Sequence, residues 1–258
     1  MKSAAVATAL FAAGAFAAPN TAARRANNLA RVARKSNLRQ PAANAASING
    51  TKNAEYSSNW AGAVISDSGF TSVVGTIVVP TPRGDGRSAS ASAWVGIDGD
   101  TCGTAILQTG LDFTVSAGGG VSYDAWYEWF PDYAYDFTGF SVSGGDEVKI
   151  TVTASSRGAG VATLENLSNG DSVTHSFRNE GNELCQYDAE WIVEDYEEGG
   201  GLVPFADFDS VTFTGASATQ NGRSVGVSGA TIIDIEQNGR VLTDCGTTGS
   251  STVYCDYV

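Results

Sequence analysis

From Glu55 onward, apolar and polar residues alternate in short runs instead of recurring every three or four positions. FTSVVGTIVVP (70–80), SASAWVGID (90–98), VSYDAWYEWF (121–130), EVKITVTAS (147–155) and DSVTFTG (209–215) each read as a strand, with successive side chains on opposite faces. PRGDG (82–86), SGGD (143–146), SNGD (168–171) and QNGR (237–240) supply turns between them. No stretch after residue 54 carries a helical period. Many antiparallel strands in one chain of this size predict an all-β domain, a sandwich of two packed antiparallel sheets.

One strand-like stretch stands apart. YDAEWIVEDYEEGG (187–200) carries Asp188, Glu190, Glu194, Asp195, Glu197 and Glu198 around Trp191, although carboxylates pack poorly on a pleated surface. Alternation puts Glu190, Ile192 and Glu194 on one face and Trp191 on the other. Glu197 and Glu198, beside Gly199–Gly201, read as solvated loop acids.

Charge divides the chain. Eight of its 15 Lys and Arg lie before Ala54 (Lys2, Arg24, Arg25, Arg31, Arg34, Lys35, Arg39, Lys52), and the first acid is Glu55. Residues 54–258 therefore hold seven cations against 28 acids, a net −21. Such a globule is a poor partner for nucleic acid. MKSAAVATALFAAGAFAA (1–18) has the layout of a secretory signal peptide and is too short for a membrane span. The expected organisation is a signal peptide (1–18), a basic pro-segment (19–54) and a β-sandwich domain (55–258) of a secreted, soluble protein.

Four cysteines in an exported chain predict disulfides. Three pairings are open. The short DCGTTGSSTVYC segment favours Cys245 with Cys255, which leaves Cys102 with Cys185. Asn166 heads a glycosylation sequon, and Asn49 heads another within the basic segment. The lone His175 gives little support to a Ser/His or Cys/His nucleophile or to a metal site. Asp67-Ser68-Gly69 matches one aspartic-peptidase loop, but no second copy exists, so it reads as a turn. Carboxylate and amide chemistry is what is left. Glu190 and Glu194 as the pair of a glycan hydrolase is one alternative, and a lectin-like binding protein is another.

Five segments in order, YSSNWAGAVI (56–65), SAWVGIDG (92–99), CGTAILQTGLDF (102–113), YDAWYEWFPD (123–132) and AEWIVED (189–195), resemble the eqolisins, the fungal glutamic peptidases. The resemblance implies a two-sheet antiparallel sandwich, concanavalin A/lectin-like, which agrees with the alternation. It implies an acid endopeptidase acting on proteins and peptides, without cofactor or metal. Its catalytic glutamine and glutamate fall on Gln108 and Glu190, and Trp60, Trp94, Asp98, Asp112 and Glu128 in the matched segments border the cleft. On this reading the Glu190 face lines the cleft and Trp191 packs between the sheets. Glu190, at a near-normal pKa, takes a proton from water and returns it to the departing nitrogen, while Gln108 steadies the oxyanion. The pro-segment is expected to inhibit the enzyme by docking across an acidic cleft. The protein is expected to be a monomer without a membrane partner, and TPRGDGRSAS (81–90) is the loop expected to be cut if maturation nicks the chain.

Overall fold

The structure, a computed structural model, describes residues 34–42 and 54–258. The expected signal peptide, most of the expected pro-segment and the Asn49 sequon lie outside the described residues. In chain order the strands are β1 (Arg34–Lys35), β2 (Ala54–Ser57), β3 (Trp60–Ser66), β4 (Phe70–Val78), β5 (Ala89–Ile97), β6 (Ile106–Val115) and β7 (Val121–Phe130). Then follow β8 (Tyr135–Asp136), β9 (Glu147–Ser156), β10 (Ala159–Asn166), β11 (Ser172–Arg178), β12 (Asp188–Glu194), β13 (Glu197–Glu198) and β14 (Gly201–Leu202). The chain closes with β15 (Ser210–Gln220), β16 (Arg223–Gly226), β17 (Thr231–Gln237), β18 (Arg240–Val241), β19 (Thr243–Thr248) and β20 (Thr252–Tyr257). No helix occurs among the described residues.

Two large sheets form the sandwich. One runs β11-β10-β9-β4-β15-β20-β19, with β16 on β15, and the other runs β18-β17-β3-β12-β5-β6-β7-β8. β2 adds to β17 in parallel, so the sheet already includes Ala54, one residue before the expected domain start. The inner faces share one apolar core, with Phe70, Ile77, Phe113, Trp191 and Phe213 among its fully buried members. Trp191 lies between the sheets, as expected, and its Nε1–H donates across the gap to Val74 O at 2.8 Å. Removing so large a buried ring costs about 3–5 kcal/mol.

Disulfides Cys102–Cys185 and Cys245–Cys255 both form. Asp67-Ser68-Gly69 is the β3–β4 turn, where Gly69 takes a φ of 86°. His175, on β11, stacks on Tyr127 with ring centroids 3.9 Å apart, and burial lowers its pKa. The 82–87 stretch, within the loop expected to be nicked, is mostly exposed.

Two expectations meet a different structure. Asn166 is 1% exposed, and its Nδ2 donates to Ser141 O and Asp146 Oδ2. The nitrogen that a glycan would occupy is spent on tying Asn166 to the 141–146 stretch before β9, so the folded domain does not present this sequon. Glu197 and Glu198 are not loop acids. They form β13, which pairs with β1 of the basic segment: Glu198 faces Arg34 and Glu197 faces Lys35.

Candidate active site

The outer face of the nine-stranded sheet carries the site, and register alone assembles it. Val64, Glu190, Gly96, Gln108 and Glu128 stand side by side on β3, β12, β5, β6 and β7. Period-2 alternation sends all of these side chains to one face. Strands lie about 4.8 Å apart, so Glu190 and Gln108 are separated by roughly 9.6 Å of backbone with only a glycine between them. A Cβ at Gly96 would meet Trp94 Cζ3 at 2.7 Å and Glu190 Oε2 at 3.2 Å. Glu190 therefore extends over the glycine toward Gln108. The next row is Gly62, Ile192, Trp94, Gly110 and Trp126, and beyond it lie Trp60, Glu194, Ser92, Asp112 and Asp124. An aromatic stripe thus separates two polar ones. Trp60 and Trp94 meet edge to face at 5.0 Å within a second apolar cluster that includes Trp126 and Ile192.

Glu190 and Gln108 are fully buried, and none of their four polar side-chain atoms has a protein partner. Unpaired buried polar groups are costly and scarce in folded domains. Burial first, then the carboxylates of Asp188, Asp100 and Asp98, raise the pKa of Glu190 well above the ordinary carboxylate range. The Asp100 backbone N–H opposes this only weakly, lying outside hydrogen-bond geometry. A near-normal Glu190 was the expectation; desolvation makes it different here.

Asp98 and Asp188 set the start of β12. Asp98 adopts a left-handed φ of 71°, and its carboxylate accepts the backbone N–H groups of Gln186, Tyr187 and Asp188 at 2.7–3.2 Å. Asp188 in turn accepts from the Thr101 N–H and hydroxyl, both at 2.8 Å. These bonds lock the 98–102 loop to the strand that presents Glu190 two residues later. Asp98 therefore acts on backbone rather than lining the floor.

The basic segment lies across this face. Arg34 is 3% exposed, with Nε and Nη2 donating to Asp112 at 2.7 and 2.8 Å and Nη1 lying 3.5 Å from Glu128. Its guanidinium also packs over Trp126 and Tyr196 at 4.0 and 4.5 Å. Burial opposes its charge, but Asp112, Glu128 and Glu194 more than offset that. Ser36 N–H donates to Glu128 and Asn37 N–H to Glu194, while Leu38 packs on the Trp60–Trp94 cluster. Arg39 then pairs with Asp100 and Glu55. Burial, partly countered by Arg34, lifts Glu128 to about 8 and Glu194 to about 7.

Residues 58–257 match the peptidase A4 family. The chain belongs to the peptidase A4, or eqolisin, family. It is 51% identical over 267 aligned positions to aspergillopepsin-2 from Aspergillus niger, covering 94% of each chain. It is 47% identical over 215 positions to scytalidopepsin B from Scytalidium lignicola, covering 80% of each. Among solved structures, scytalido-glutamic peptidase with a transition-state analogue inhibitor aligns with a TM-score of 0.73 at 47% identity, over 78% of this chain and 98% of the other. Aspergilloglutamic peptidase from Aspergillus niger aligns at 0.64 and 58% identity, over 66% and 99%.

The protein is thus a glutamic peptidase. In this eqolisin the Glu190–Glu194 pairing of a glycan hydrolase has no support, because Glu194 is committed elsewhere: it accepts Trp94 Nε1–H at 2.9 Å and Asn37 N–H at 3.1 Å. Sequence reasoning named Trp60, Trp94, Asp112 and Glu128 on this face but not Trp126 and Tyr196, on which Arg34 packs. Trp126 sits two residues before Glu128 on one strand, so alternation alone places it on the same face.

Proposed function

We propose that the protein is a secreted acid endopeptidase in which Glu190 and Gln108 form the catalytic dyad. The observation that carries this reading is the row Glu190–Gly96–Gln108, with four buried polar side-chain atoms that no protein group satisfies. Glu190, as carboxylate, takes a proton from water as the oxygen adds to the peptide carbonyl. Gln108 Nε2–H donates to the developing oxyanion and its Oε1 orients the water. Glu190 then returns the proton to nitrogen, and the C–N bond breaks. One oxyanion donor is worth about 3–4 kcal/mol.

The 34–42 stretch belongs to a pro-segment that inhibits the enzyme by covering this row. Burial is the largest cause of the raised Glu190 pKa. Departure of the segment admits water and returns Glu190 toward the ordinary carboxylate range near 4. Acidification through about pH 4, where unperturbed carboxylates titrate, removes much of the domain's negative charge, so the basic segment loosens under the conditions in which the enzyme works. Residues 1–18 direct export.

Glu190→Gln and Gln108→Ala are expected to abolish protein hydrolysis near pH 3 and maturation of the proprotein after a shift from pH 6 to pH 3. Glu194→Gln retains substantial activity, and pepstatin inhibits poorly. Near wild-type hydrolysis by Glu190→Gln would sink the assignment.

A further inference from the structure

One buried side chain reads the main chain of the covering segment. Asn59, 2% exposed and next to Trp60 at the start of β3, donates from Nδ2 to Leu38 O at 3.2 Å and accepts the Gln40 N–H at Oδ1 at 2.9 Å. Both contacts are to backbone, so neither depends on which side chains the bound chain carries. A primary amide offers donor and acceptor side by side and can hold the carbonyl of one residue and the N–H of the residue two further on. The Ser57 hydroxyl lies 2.9 Å from Asn59 Oδ1 and 2.8 Å from Gln40 O, sharing its one proton between them. It also accepts the Asn59 and Trp60 N–H groups at 3.3 and 3.1 Å. Asn59 is therefore held in one orientation before any chain binds.

The gripped stretch crosses the sheet face that carries Glu190 and Gln108. Ser36 N–H reaches Glu128 at the β7 end of the Glu190–Gln108 row. Arg39 N–H donates to Gly99 O and Gln40 to Asn59 at the β3 side. We propose that Asn59 is a main-chain clamp for substrate: once residues 34–42 leave, it takes the carbonyl of substrate residue i and the N–H of residue i+2, on the β3 side of the scissile bond. This deepens the dyad reading and rests on it. Fixing two atoms of an extended chain positions the scissile carbonyl over Gln108 and Glu190, which is where orientation lowers the barrier.

The test uses full-length protein activated in acid, as wild type, Asn59→Ala and Asn59→Asp, with a cleavable peptide and a set in which each backbone N–H in turn is N-methylated. The wild type is expected to lose about tenfold in kcat/KM when the clamped N–H is methylated, the loss of one hydrogen bond. Asn59→Ala is expected to lose about tenfold on the parent peptide and to show no further loss at that position, with methylation effects elsewhere unchanged. An identical methylation profile in wild type and Asn59→Ala would overturn the clamp. If Asn59→Ala does not fold, Asn59→Asp decides. It keeps donor and acceptor while protonated, so its kcat/KM relative to wild type should fall between pH 3 and pH 5, and a constant ratio would overturn the proposal. Glu190→Gln run beside them separates the two readings: activity in that variant removes the dyad without altering the methylation comparison.

Discussion

Replacing Arg34 by alanine tests how the basic segment is held. The guanidinium makes two bonds of 2.7 and 2.8 Å to Asp112, another of 3.2 Å to Ser92 Oγ, and packs over Trp126 and Tyr196. Removing it strands a carboxylate that is 3% exposed. Breaking a buried pair from one side costs about 3–5 kcal/mol, which at 1.4 kcal/mol per decade is a loss of roughly 100- to 4,000-fold in affinity. The assay is inhibition of the acid-matured enzyme by a synthetic peptide of residues 34–42, RKSNLRQPA, and by its Arg34→Ala and Lys35→Ala forms. The first substitution should raise Ki by about 100-fold or more. Lys35, only partly buried, with its Nζ 5.0 Å from the Phe130 ring, should matter by less than about tenfold. Glu128 and Glu194 also face Arg34, and burial lifts them to about 8 and 7. Equal Ki values would refute the reasoning.

Stability of the mature domain should fall as the pH rises from 5 to 8. Burial lifts Asp195 to about 7 and Asp234 to about 6. A raised folded pKa gives stability that is complete below the unfolded value near 4 and lost on rising through the folded one, about 3 kcal/mol or more per group. Tm against pH reads this, and Asp195→Asn or Asp234→Asn should flatten the curve; a flat wild-type curve contradicts it. Gly96→Ala forces Trp94 and Glu190 apart from contacts of 2.7 and 3.2 Å and should cut kcat/KM by about 100-fold, with peptide hydrolysis as the readout. Asn166 should carry no glycan in the folded protein, by intact mass before and after glycosidase, and Asn166→Ala should lower Tm because Ser141 O and Asp146 lose a buried donor. In the chain-entropy treatment, the Cys102–Cys185 bridge, spanning 83 residues, is worth about 4.5 kcal/mol, and Cys245–Cys255, spanning 10, about 2.7 kcal/mol. Replacing each pair by serines should lower denaturation midpoints in that order.

The strands were legible because each exposes a period of two. VSYDAWYEWF was read as residues 121–130, and β7 has those bounds. Alternation alone put Trp191 and Glu190 on opposite faces; the eqolisin resemblance said which of the two turns inward. The pairing of Gln108 with Glu190, proposed as the dyad, was not visible that way. Gln108 and Glu190 lie far apart in sequence and meet only through the register of β12, β5 and β6, which no local pattern encodes; the eqolisin resemblance supplied it. The basic segment was read as a pro-segment docking by charge across an acidic cleft, but nothing in RKSNLRQ announces that Arg34 enters a pocket of Asp112, Trp126 and Tyr196. Asn166 misled because a sequon is a local string, whereas its side chain is held by Ser141 and Asp146 from the stretch before β9. The pKa of Glu190 was also out of reach, since burial and the neighbouring Asp98, Asp100 and Asp188 are features of the assembled face.

The distances from Gln108 Nε2 and the Glu190 carboxylate to a tetrahedral transition-state analogue test the central claim most directly, in a crystal structure of the acid-matured protein freed of residues 34–42. The account predicts Nε2 about 2.7–3.1 Å from the oxyanion oxygen and a Glu190 oxygen about 2.6–3.2 Å from the oxygen that represents attacking water. An oxyanion held by other donors, with Glu190 out of hydrogen-bond reach of the analogue, would contradict it.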